Sequence, residues 1–369
     1  MQIYDLVVVG AGIAGCAAAQ EAKSRGLSVA IVDKAQKPAT GGSGAAGAFI
    51  SPKLGSKTEL LELTNLAFDY AVEFYSAKYA EYFIKSGVVR IPQSQKDANN
   101  LTLHQSIINA KSKLLGTKEL KELGIKGESR ALFFEDGGFC DAQGLCTALI
   151  DGIDYYAIDV KDIAQSDSHL EIEQKLKAKN IILATGYQGF GEKLRYMGIK
   201  GLWGSRGDFY TDTPLNISMH KKISISATRN GIVKLGATHI KHAEPCRVCN
   251  GNPLALLVDA SRDMVELENL RIKEIFCGMR SGSHDFKPLL GRVIDSNYML
   301  THYEAIKRGY KKAPLEYIDN LYVLNGMGGR GFVFAPLMAK WLIEYIFAGK
   351  DLDSRVDADR LFLKWARRL

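Results

Sequence analysis

The sequence predicts an α/β fold with a parallel sheet, into which a second, β-rich α+β domain is inserted. The apolar run IYDLVVV (residues 3–9) is followed by a glycine turn, an alanine-rich helical stretch and a second run, GLSVAIVDK. This order predicts a βαβ unit with a right-handed crossover. Residues 196–284 alternate apolar and polar side chains, as strands do. The last segment returns to a strand, a glycine turn and a helix.

The order of these patterns divides the chain into five segments. We assign 1–86, 131–195 and 285–369 to the parallel-sheet domain and 196–284 to the β-rich substrate domain. Residues 87–130, which are polar and lysine-rich, are assigned to a surface excursion or to part of the substrate domain. Within these segments the pattern predicts one long amphipathic helix over 58–86, a helix over 141–153, and three strands between 155 and 186.

Composition restricts the class of protein. The chain has 369 residues, of which 46% are hydrophobic and 24% charged, as expected of a soluble protein with two domains. The formal net charge of +7 fits an anionic partner such as nucleic acid, although many enzymes with small substrates are equally basic. Six cysteines do not make a disulfide scaffold.

Neither apolar stretch predicts export or membrane insertion. The first run has no basic region before it and is interrupted by glycines, so it does not resemble a signal peptide. The run at 332–349 contains Lys340 and Glu344, which makes it too polar for a bilayer span and predicts a partly buried helix. We therefore expect a cytoplasmic protein without a membrane partner.

The glycine turn after the first strand has the spacing of a dinucleotide site. Gly10, Gly12 and Gly15 form G-x-G-x-x-G between a strand and a helix, where they permit a tight turn, close approach of a pyrophosphate and close helix packing. The helix N-terminus attracts the phosphates. Asp33 ends the second strand, where a carboxylate accepts hydrogen bonds from a ribose. These features together predict a bound dinucleotide.

Three further small-residue segments favour an adenine dinucleotide that stays bound over one that exchanges. Residues 41–55 (GGSGAAGAFISPKLG) follow the second strand, IILATG (181–186) ends in a small-residue turn, and GMGGRGF (326–332) precedes the final helix. NAD and FAD share the first motif, but an enzyme that binds only NAD has less use for the additional glycine loops. A flexible loop is the alternative explanation for 41–55.

Five motifs follow one another along the chain in the order that the family named next also has. They are GAGIAG, GGSG, ATG, CGMRSGSHDFKPLLGR and NGMGGRGFVFAPL. By these motifs the chain resembles the D-amino-acid oxidase and glycine oxidase superfamily of FAD enzymes. AFDYAVEFY together with GGSGAAGAFISP and GMGGRGFVFAPLMA is most similar to the FAD-dependent oxidoreductase domain of the bifunctional tRNA 5-methylaminomethyl-2-thiouridine biosynthesis enzymes. That resemblance implies a Rossmann-like FAD-binding domain. It also implies removal of the carboxymethyl group from 5-carboxymethylaminomethyl(-2-thio)uridine at the tRNA wobble position, with release of glyoxylate.

The resemblance and the glycine loops together suggest which residues bind FAD. They are Gly10, Gly12, Ile13, Ala14, Gly15, Asp33, Lys34, Gly42, Ser43, Gly44, Ala48, Thr185, Gly186, Gly328, Gly329, Gly331 and Phe332. The bifunctional family carries a methyltransferase domain before the FAD part, whereas this sequence starts at the FAD strand. We therefore expect a separate methyltransferase to act afterwards.

Two arginines are the candidate catalytic residues. Oxidation of a glycine-like amine requires that its carboxylate be fixed, and an arginine fork does this well. The resemblance places Arg280 at the carboxylate-binding position and Arg330 at a second arginine position. An ion pair with Asp285 is the alternative for Arg280, and a solvent-facing side chain is the alternative for Arg330. No general base is assigned, although His284 and Tyr210 lie in suitable segments.

Several features stay open at this stage. GSRGDFY (204–210) aligns with a segment that lies beside the substrate pocket in the family that the chain resembles. That segment varies, so the resemblance makes Arg206 only a weak candidate for a substrate-binding residue. Lysine-rich residues 111–130 and the final KWARRL are candidate phosphate contacts or simply solvated surface. Cys246 and Cys249 have C-x-x-C spacing, which predicts an ordinary reduced loop more readily than zinc held with His239 and His242. No metal site is assigned. A small-amine oxidase acting on glycine, sarcosine or D-amino acids, and a non-catalytic flavin- or nucleic-acid-binding module, are the rival functions.

Overall fold

The structure is a computed structural model that describes residues 2–127, 129–166, 168–241, 249, 251, 253–310 and 313–369. The strands in these residues are β1 (Ile3–Val9), β2 (Val29–Asp33), β3 (Phe49–Ile50), β4 (Phe83–Ile84), β5 (Val88–Arg90), β6 (Ser112–Gly116), β7 (Arg130–Phe134), β8 (Gly138–Cys140), β9 (Asp154–Ala157), β10 (Ile163–Gln165), β11 (Leu170–Ile172), β12 (Leu176–Leu183), β13 (Lys200–Tyr210), β14 (Ser218–His220), β15 (Ser224–Ile225), β16 (Ile232–Gly236), β17 (Ile240–Lys241), β18 (Arg271–Gly282), β19 (Leu289–Ile294) and β20 (Tyr317–Asn325). The helices are α1 (Ile13–Ser24), α2 (Glu59–Lys78), α3 (Gln95–Asn99), α4 (Leu101–Ser106), α5 (Thr117–Glu122), α6 (Ala142–Leu149), α7 (Leu254–Arg262), α8 (Ser296–His302), α9 (Gly331–Ala348) and α10 (Phe362–Ala366).

The first sheet has the predicted parallel core. Its strands run in the order β10-β11-β12-β1-β2-β9, and β20 pairs with β12 and carries β19. The pairs β12–β1, β1–β2, β2–β9 and β12–β20 are parallel. Leu6 and Val8 pack into one hydrophobic cluster while Val7 and Val9 pack into another. The strand is therefore buried on both faces, which explains why its sequence is a continuous apolar run.

Helix α1 lies between this sheet and α9. Its inward residues Ala18, Ala19 and Ala22 are fully buried. Because alanine side chains are small, α1 packs closely against α9, and α9 also packs against α2. The strand, glycine turn and helix at each end of the chain are thereby brought side by side.

The second sheet is formed mostly by the β-rich segment. In the described residues its order is β17-β13-β16-β15-β14-β5-β7-β6, with β18 paired along β13. Its register aligns Arg90 with His220, His220 with Ser224, and Ser224 with Gly236 across neighbouring strands. Residues that are partners in this way project from the same face of a sheet. A small third sheet has the strand order β3-β8-β4.

The structure corrects two of the predictions for the first half of the chain. The helix predicted over 58–86 ends at Lys78, and Phe83–Ile84 form β4, which pairs with β8. Residues 112–116 form β6, which pairs with β7 at 130–134. The lysine-rich stretch is therefore partly an edge of the second sheet, and the boundary drawn at 130/131 falls inside one of its strands. The five-segment division itself stays a prediction.

The last long helix carries a proline in its interior and is the most apolar helix of the described residues. Gly328–Ala348 is long and apolar enough by composition to cross a bilayer, so the argument that it is too polar does not hold. However, 56% of the most apolar window is buried inside the protein. Its contacts with α1 and α2 agree with the predicted partly buried helix.

Candidate functional site

A cavity of about 1500 Å³ lies between the first and second sheets. It is lined by the residues that follow the carboxyl ends of β1, β2, β12 and β20, and by β14 and β18 from the second sheet. Ligands of parallel α/β sheets bind at such carboxyl ends. Its volume exceeds the roughly 300–1,000 Å³ of ordinary small-molecule pockets, which leaves room for a dinucleotide and a substrate.

The turn after β1 has the geometry that its glycines predict. Gly10 has a φ of +110°, and a Cβ there would lie 2.4 Å from the Ala184 carbonyl oxygen. A Cβ at Gly15 would lie 1.8 Å from the Gly10 carbonyl oxygen, so Gly15 serves the packing of α1 against the turn. Gly12, the N-cap of α1, carries no side chain to satisfy the helix N-terminus, and the first turn has no acidic residue. This end of α1 therefore presents N–H groups to the cavity.

Two polar residues hold this turn in place. The Asp33 carboxylate accepts a hydrogen bond from the Ala11 N–H at 2.8 Å and another from the Ala35 N–H at 2.9 Å. Each carboxylate oxygen has a second lone pair, so Asp33 can still accept bonds from a ligand. Ser43 Oγ accepts the Ile13 N–H at 2.9 Å, which draws the 41–44 loop onto the start of α1.

Most of the predicted cofactor-binding residues line the cavity together. They are Gly10, Gly12, Ile13, Ala14, Asp33, Lys34, Gly42, Ser43, Ala48, Thr185, Gly186, Gly328, Gly329, Gly331 and Phe332. Gly15 and Gly44 lie behind this surface. A Cβ at Gly44 would lie 1.9 Å from the Ala39 carbonyl oxygen, so its glycine is required by loop packing. That these residues bind FAD stays a prediction.

One buried hydroxyl in the cavity wall has no partner. Thr185 Oγ1 is shielded from solvent and makes no hydrogen bond within the described residues. Buried polar atoms are almost always satisfied in native proteins, and an exception next to a cavity indicates a missing ligand group. The donor set, the open helix N-terminus and this hydroxyl fit an adenine dinucleotide.

Arg280 lies on β18, in the part of the cavity wall that the second sheet contributes. Its guanidinium donates to the Thr238 carbonyl oxygen at 3.3 Å, and it occupies the space that a side chain at Gly204 would need. Burial lowers the pKa of Arg280, and Arg280 with burial lowers the pKa of the neighbouring His239. Asp285, the alternative partner, instead forms an ion pair with Arg360 at 2.8 Å. Arg280 is therefore available to an anionic ligand.

Arg330 points into the cavity. Its guanidinium donates to the Ser51 carbonyl oxygen at 3.0 Å, and Ser51 is buried. Burial lowers the pKa of Arg330 to about 10. The solvent-facing alternative is therefore wrong. Arg280 donates to the Thr238 carbonyl, whereas Arg330 donates to the Ser51 carbonyl in a different segment of the chain. The sequence indicated neither contact.

Three basic residues near Arg330 were missed by the sequence reasoning. Arg90, Lys53 and His220 line the cavity, and the pKa of each is lowered by burial first and then by positive neighbours that include Arg330. Arg90 ends β5, inside the segment 87–130 that was assigned to a surface excursion or to part of the substrate domain. The only signal for it was the cation at the end of the short apolar run GVVR. Its proximity to Arg330 depends on the pairing of β5 with β14.

The remaining candidate side chains do not reach the cavity wall. Arg206 is 3% exposed, forms an ion pair with Asp208 at 3.2 Å, and donates a hydrogen bond to the Ala46 carbonyl oxygen. It is a structural arginine, so its assignment to a substrate pocket is wrong. Tyr210 is exposed, and His284 is exposed beside Lys200.

The cysteines form one disulfide within the described residues. Cys249 is bonded to Cys277 of β18, so the interpretation of Cys249 as part of a reduced loop is wrong. Cys246 and His242 lie outside the described residues. Within those residues, no group of three or more His, Cys, Asp or Glu side chains is arranged to hold a metal ion.

Comparisons with known proteins give a consistent result. A profile of the family described as "DAO: FAD dependent oxidoreductase" matches residues 5–345. The tRNA 5-methylaminomethyl-2-thiouridine biosynthesis bifunctional protein MnmC of Legionella pneumophila (strain Philadelphia 1) is 25% identical over 91% of this chain and 53% of its own length. The protein of the same name from Marinobacter nauticus is 24% identical over 97% of this chain and 58% of its own. The chain thus spans about half the length of the curated relatives that it matches.

The fold also matches solved structures. The crystal structure of glycine oxidase from Geobacillus kaustophilus superposes with a TM-score of 0.76 at 18% identity. The superposition covers 95% of this chain and 96% of that one. At this identity the likeness establishes the fold.

Proposed function

Because the chain belongs to the DAO family of FAD-dependent oxidoreductases, which act on C–N bonds, we propose that it oxidises an N-carboxymethyl amine on tRNA. The substrate is 5-carboxymethylaminomethyl(-2-thio)uridine at the wobble position. The reaction removes the carboxymethyl group and releases glyoxylate. The observation that carries this proposal is the pair of arginines, Arg280 and Arg330, that line the cavity without a carboxylate partner among the described residues.

The residues of the glycine-lined half would hold FAD. The N-terminus of α1 with Gly12 would bind the pyrophosphate, Asp33 would accept a hydrogen bond from a ribose, and Thr185 would supply its free hydroxyl. FAD, when bound, supplies the two-electron acceptor for oxidation of the amine. The start of α9, after Gly329, offers a partial positive charge to negative charge that develops nearby.

The arginines would orient the reacting carbon. A guanidinium fork binds a carboxylate bidentately, so Arg280 and Arg330 fix the carboxymethyl group. A hydride leaves the methylene carbon of the glycine unit while the nitrogen lone pair forms a C=N bond. Water then adds to that carbon, the C–N bond breaks, and glyoxylate and a primary amine are released. The neutral amine requires no side-chain base for the first step.

An exposed aromatic side chain at the cavity favours a nucleotide substrate over a free amino acid. Phe286 lines the cavity, is 73% exposed and has a φ of +63°. For a bulky residue this conformation costs about 1–3 kcal/mol, and such strain clusters at functional sites. Asp285, held by Arg360 through two hydrogen bonds, fixes the loop. A rigid exposed ring supports stacking of an unpaired base.

The name of the relatives and the chemistry of the product add two further points to this proposal. The name of the MnmC proteins describes tRNA 5-methylaminomethyl-2-thiouridine biosynthesis by a bifunctional protein. The primary amine that we propose as product has the chemistry required of a methyl acceptor, so a methyltransferase consumes it. Because tRNA is the substrate, we place the reaction in the cytoplasm.

The test is anaerobic reduction of the flavin. The FAD-loaded protein is mixed without oxygen with tRNA that carries the carboxymethylaminomethyl group, and separately with glycine or sarcosine. We expect the flavin absorbance to bleach with the tRNA, and nucleoside mass spectra to show conversion to the aminomethyl form. Bleaching by glycine or sarcosine but not by tRNA would contradict the proposal and establish a small-amine oxidase. A protein that takes up no flavin would be a binding module.

A further inference from the structure

The cavity contains more positive charge than one substrate carboxylate can neutralise. Besides Arg280, the cations that line its substrate half are Lys53, Arg90, Lys222 and Arg330. The acidic residues in the lining are Asp33, Asp159, Asp162 and Glu192, all on the proposed nucleotide side, where Lys34, Lys161 and Lys193 also line the cavity. The substrate half therefore has cations but no carboxylate in its lining, whereas the nucleotide half has both.

Arg90, Lys53 and Arg330 form one cationic cluster. All three line the same cavity, and Arg330 donates to the carbonyl of Ser51, which lies two residues before Lys53. Burial first and then Arg330 lower the pKa of Arg90, and burial first and then both arginines lower the pKa of Lys53. No carboxylate of the described residues contributes to any of these three shifts. Like charges that are desolvated together are unfavourable unless a counter-charge is supplied. Such an arrangement indicates a bound anion.

Separate parts of the fold hold this cluster in place. The amide of Asn65, which is buried, accepts the Lys53 N–H at 2.7 Å and donates to the Lys53 carbonyl at 3.2 Å. Arg90 is fixed by the pairing of β5 with β14 and β7. Arg330 is anchored to Ser51. The positions are therefore set by strands and buried hydrogen bonds rather than by a flexible surface loop.

The uncharged side chain of His220 lies beside the same cluster. It is the register partner of Arg90, and its Nδ1 is 2.6 Å from Ser224 Oγ. Burial, Arg90, Arg330 and His239 lower the pKa of His220, so the imidazole is uncharged. The groups that face Arg90 from the neighbouring elements are thus cationic or neutral.

We propose that Arg90 and Lys53, which lie beside the carboxylate-binding Arg330, bind a second oxyanion of the substrate. This rests on the proposed function, in which Arg280 takes part in holding the carboxylate next to the oxidised carbon. The preferred substrate is therefore an N-carboxymethyl amine that bears another carboxylate or a phosphate. In the wobble nucleotide a phosphate is that group, whereas in a small molecule a second carboxylate is.

The first test measures binding without turnover. Two sulfur analogues that cannot form an imine, thiodiacetate with two carboxylates and (methylthio)acetate with one, are titrated into the FAD-loaded enzyme. Binding is followed by the change in flavin absorbance. We expect the dianion to bind at least about tenfold more tightly, as one added charge-assisted hydrogen-bonding group allows. Equal affinities would overturn the proposal.

Variants identify the residues responsible. Arg90→Gln and Lys53→Gln should each reduce the preference for the dianion by about tenfold or more and leave the affinity for (methylthio)acetate unchanged. Arg90→Lys should keep part of the preference. Lys118→Gln, which removes an exposed cation on α5 that does not line the cavity, is the matched control and should change neither value. Loss of affinity for both analogues alike would contradict a separate subsite.

Thermal stability separates a ligand-binding role from a structural one. Because Arg90 is repelled by its neighbours, Arg90→Gln should melt at the same or a higher temperature than the wild type in the absence of substrate. A lower melting temperature with an unchanged preference for the dianion would identify a structural arginine and overturn the proposal.

Reduction assays then distinguish the source of the oxyanion, and they separate this proposal from the previous one. Iminodiacetate is compared with sarcosine, and the 5′-monophosphate of the modified nucleoside with the nucleoside itself. Faster reduction by the nucleotide assigns the subsite to phosphate, and faster reduction by iminodiacetate alone assigns it to carboxylate. If tRNA fails to reduce the flavin while the dianion preference persists, the tRNA function is wrong and the subsite stands. If neither pair shows a preference, the subsite is wrong.

Discussion

At the scale of single residues, the site is defined by polar groups that lack protein partners. Thr185 has a hydroxyl without a hydrogen bond, and Arg280, Arg330 and Arg90 have guanidinium groups without a carboxylate partner among the described residues. Elsewhere the same residue types are paired, as Arg360 with Asp285 and Arg206 with Asp208 show. A buried cation without a carboxylate reduces stability, so three such arginines that line one cavity are best explained by anionic ligands.

The first residue-scale prediction concerns Thr185. Replacing it with valine removes a buried hydroxyl that has no partner in the protein, so the apoprotein should be as stable as the wild type or more stable. The dissociation constant for FAD should rise about two- to tenfold, because one neutral hydrogen bond to the cofactor is lost. Equilibrium titration with FAD and thermal melting of the apoprotein measure the two effects.

The matched control is Thr185→Ser, which keeps the hydroxyl and should bind FAD nearly as well as the wild type. If Thr185→Val and Thr185→Ser retain FAD equally, the hydroxyl does not contact the cofactor.

A second residue-scale prediction concerns Arg280. The Arg280→Ala variant should retain FAD, but its KM for the amine substrate should rise at least about tenfold, since the carboxylate loses charge-assisted hydrogen bonds. Steady-state kinetics and the flavin-to-protein absorbance ratio check both statements. Arg262→Ala removes an exposed arginine paired with Asp259 on α7 and should behave as the wild type. Unchanged turnover in Arg280→Ala would show that another group holds the carboxylate.

At the scale of elements, the strand-turn-helix units at the two ends of the chain meet at the cofactor half of the cavity. Helix α9 begins at the glycine turn and contains Pro336, which has no N–H to donate to the Phe332 carbonyl four residues earlier. That carbonyl instead accepts the buried Tyr75 hydroxyl of α2 at 2.8 Å. Helix α2 thus replaces the hydrogen bond that the proline removes, beside predicted flavin contacts.

This arrangement predicts an energetic coupling between Tyr75 and Pro336. Tyr75→Phe leaves the Phe332 carbonyl buried without a partner and should lower the free energy of unfolding by about 1–3 kcal/mol. In a Pro336→Ala background, the alanine N–H can bond the same carbonyl, so the second substitution should cost less. A double-mutant cycle by chemical denaturation measures the difference, and we expect a coupling of about 1 kcal/mol or more. Additive effects would contradict the replacement of one bond by the other.

At the scale of the whole molecule, the two halves of the cavity differ in charge. The net charge of +7 and the cations of the substrate half, which has no carboxylate in its lining, favour an anionic substrate, whereas the nucleotide side carries both acids and lysines. A polyanion binds such a surface with strong salt dependence because it releases counterions. A small amine with one carboxylate releases few counterions, so its binding depends less on salt.

The corresponding prediction compares two substrates as salt increases. Between 50 and 200 mM salt, KM for the modified tRNA should rise about 20- to 40-fold if roughly three phosphates are contacted. KM for sarcosine, if it is oxidised at all, should change far less. Steady-state assays at constant pH measure both. A KM for tRNA that does not depend on salt would exclude phosphate contacts as a source of affinity.

The sequence by itself determined the strand, glycine turn and helix that form the glycine-lined half of the cavity. Gly10, Gly12, Gly15 and Asp33 are close in sequence to the strand and helix that they serve, so local pattern was sufficient, and the family resemblance added Arg280 and Arg330 as candidates. Local pattern did not show where α2 ends. Phe83–Ile84 form a strand because they pair with β8, and that distant partner is not visible in the local sequence. Nor did local pattern identify Arg206 as a structural residue.

Only the tertiary structure decided the composition of the cationic cluster. Lys53, Arg90, His220 and Arg330 come from four distant segments, and the pairing of β5 with β14 brings two of them together. Long-range strand pairing leaves no periodic signal at the residues that it joins, so a single cation at the end of a short strand gave no indication of its neighbours. The same pairing placed that part of the segment 87–130, assigned to a surface excursion or to part of the substrate domain, at the wall of the site.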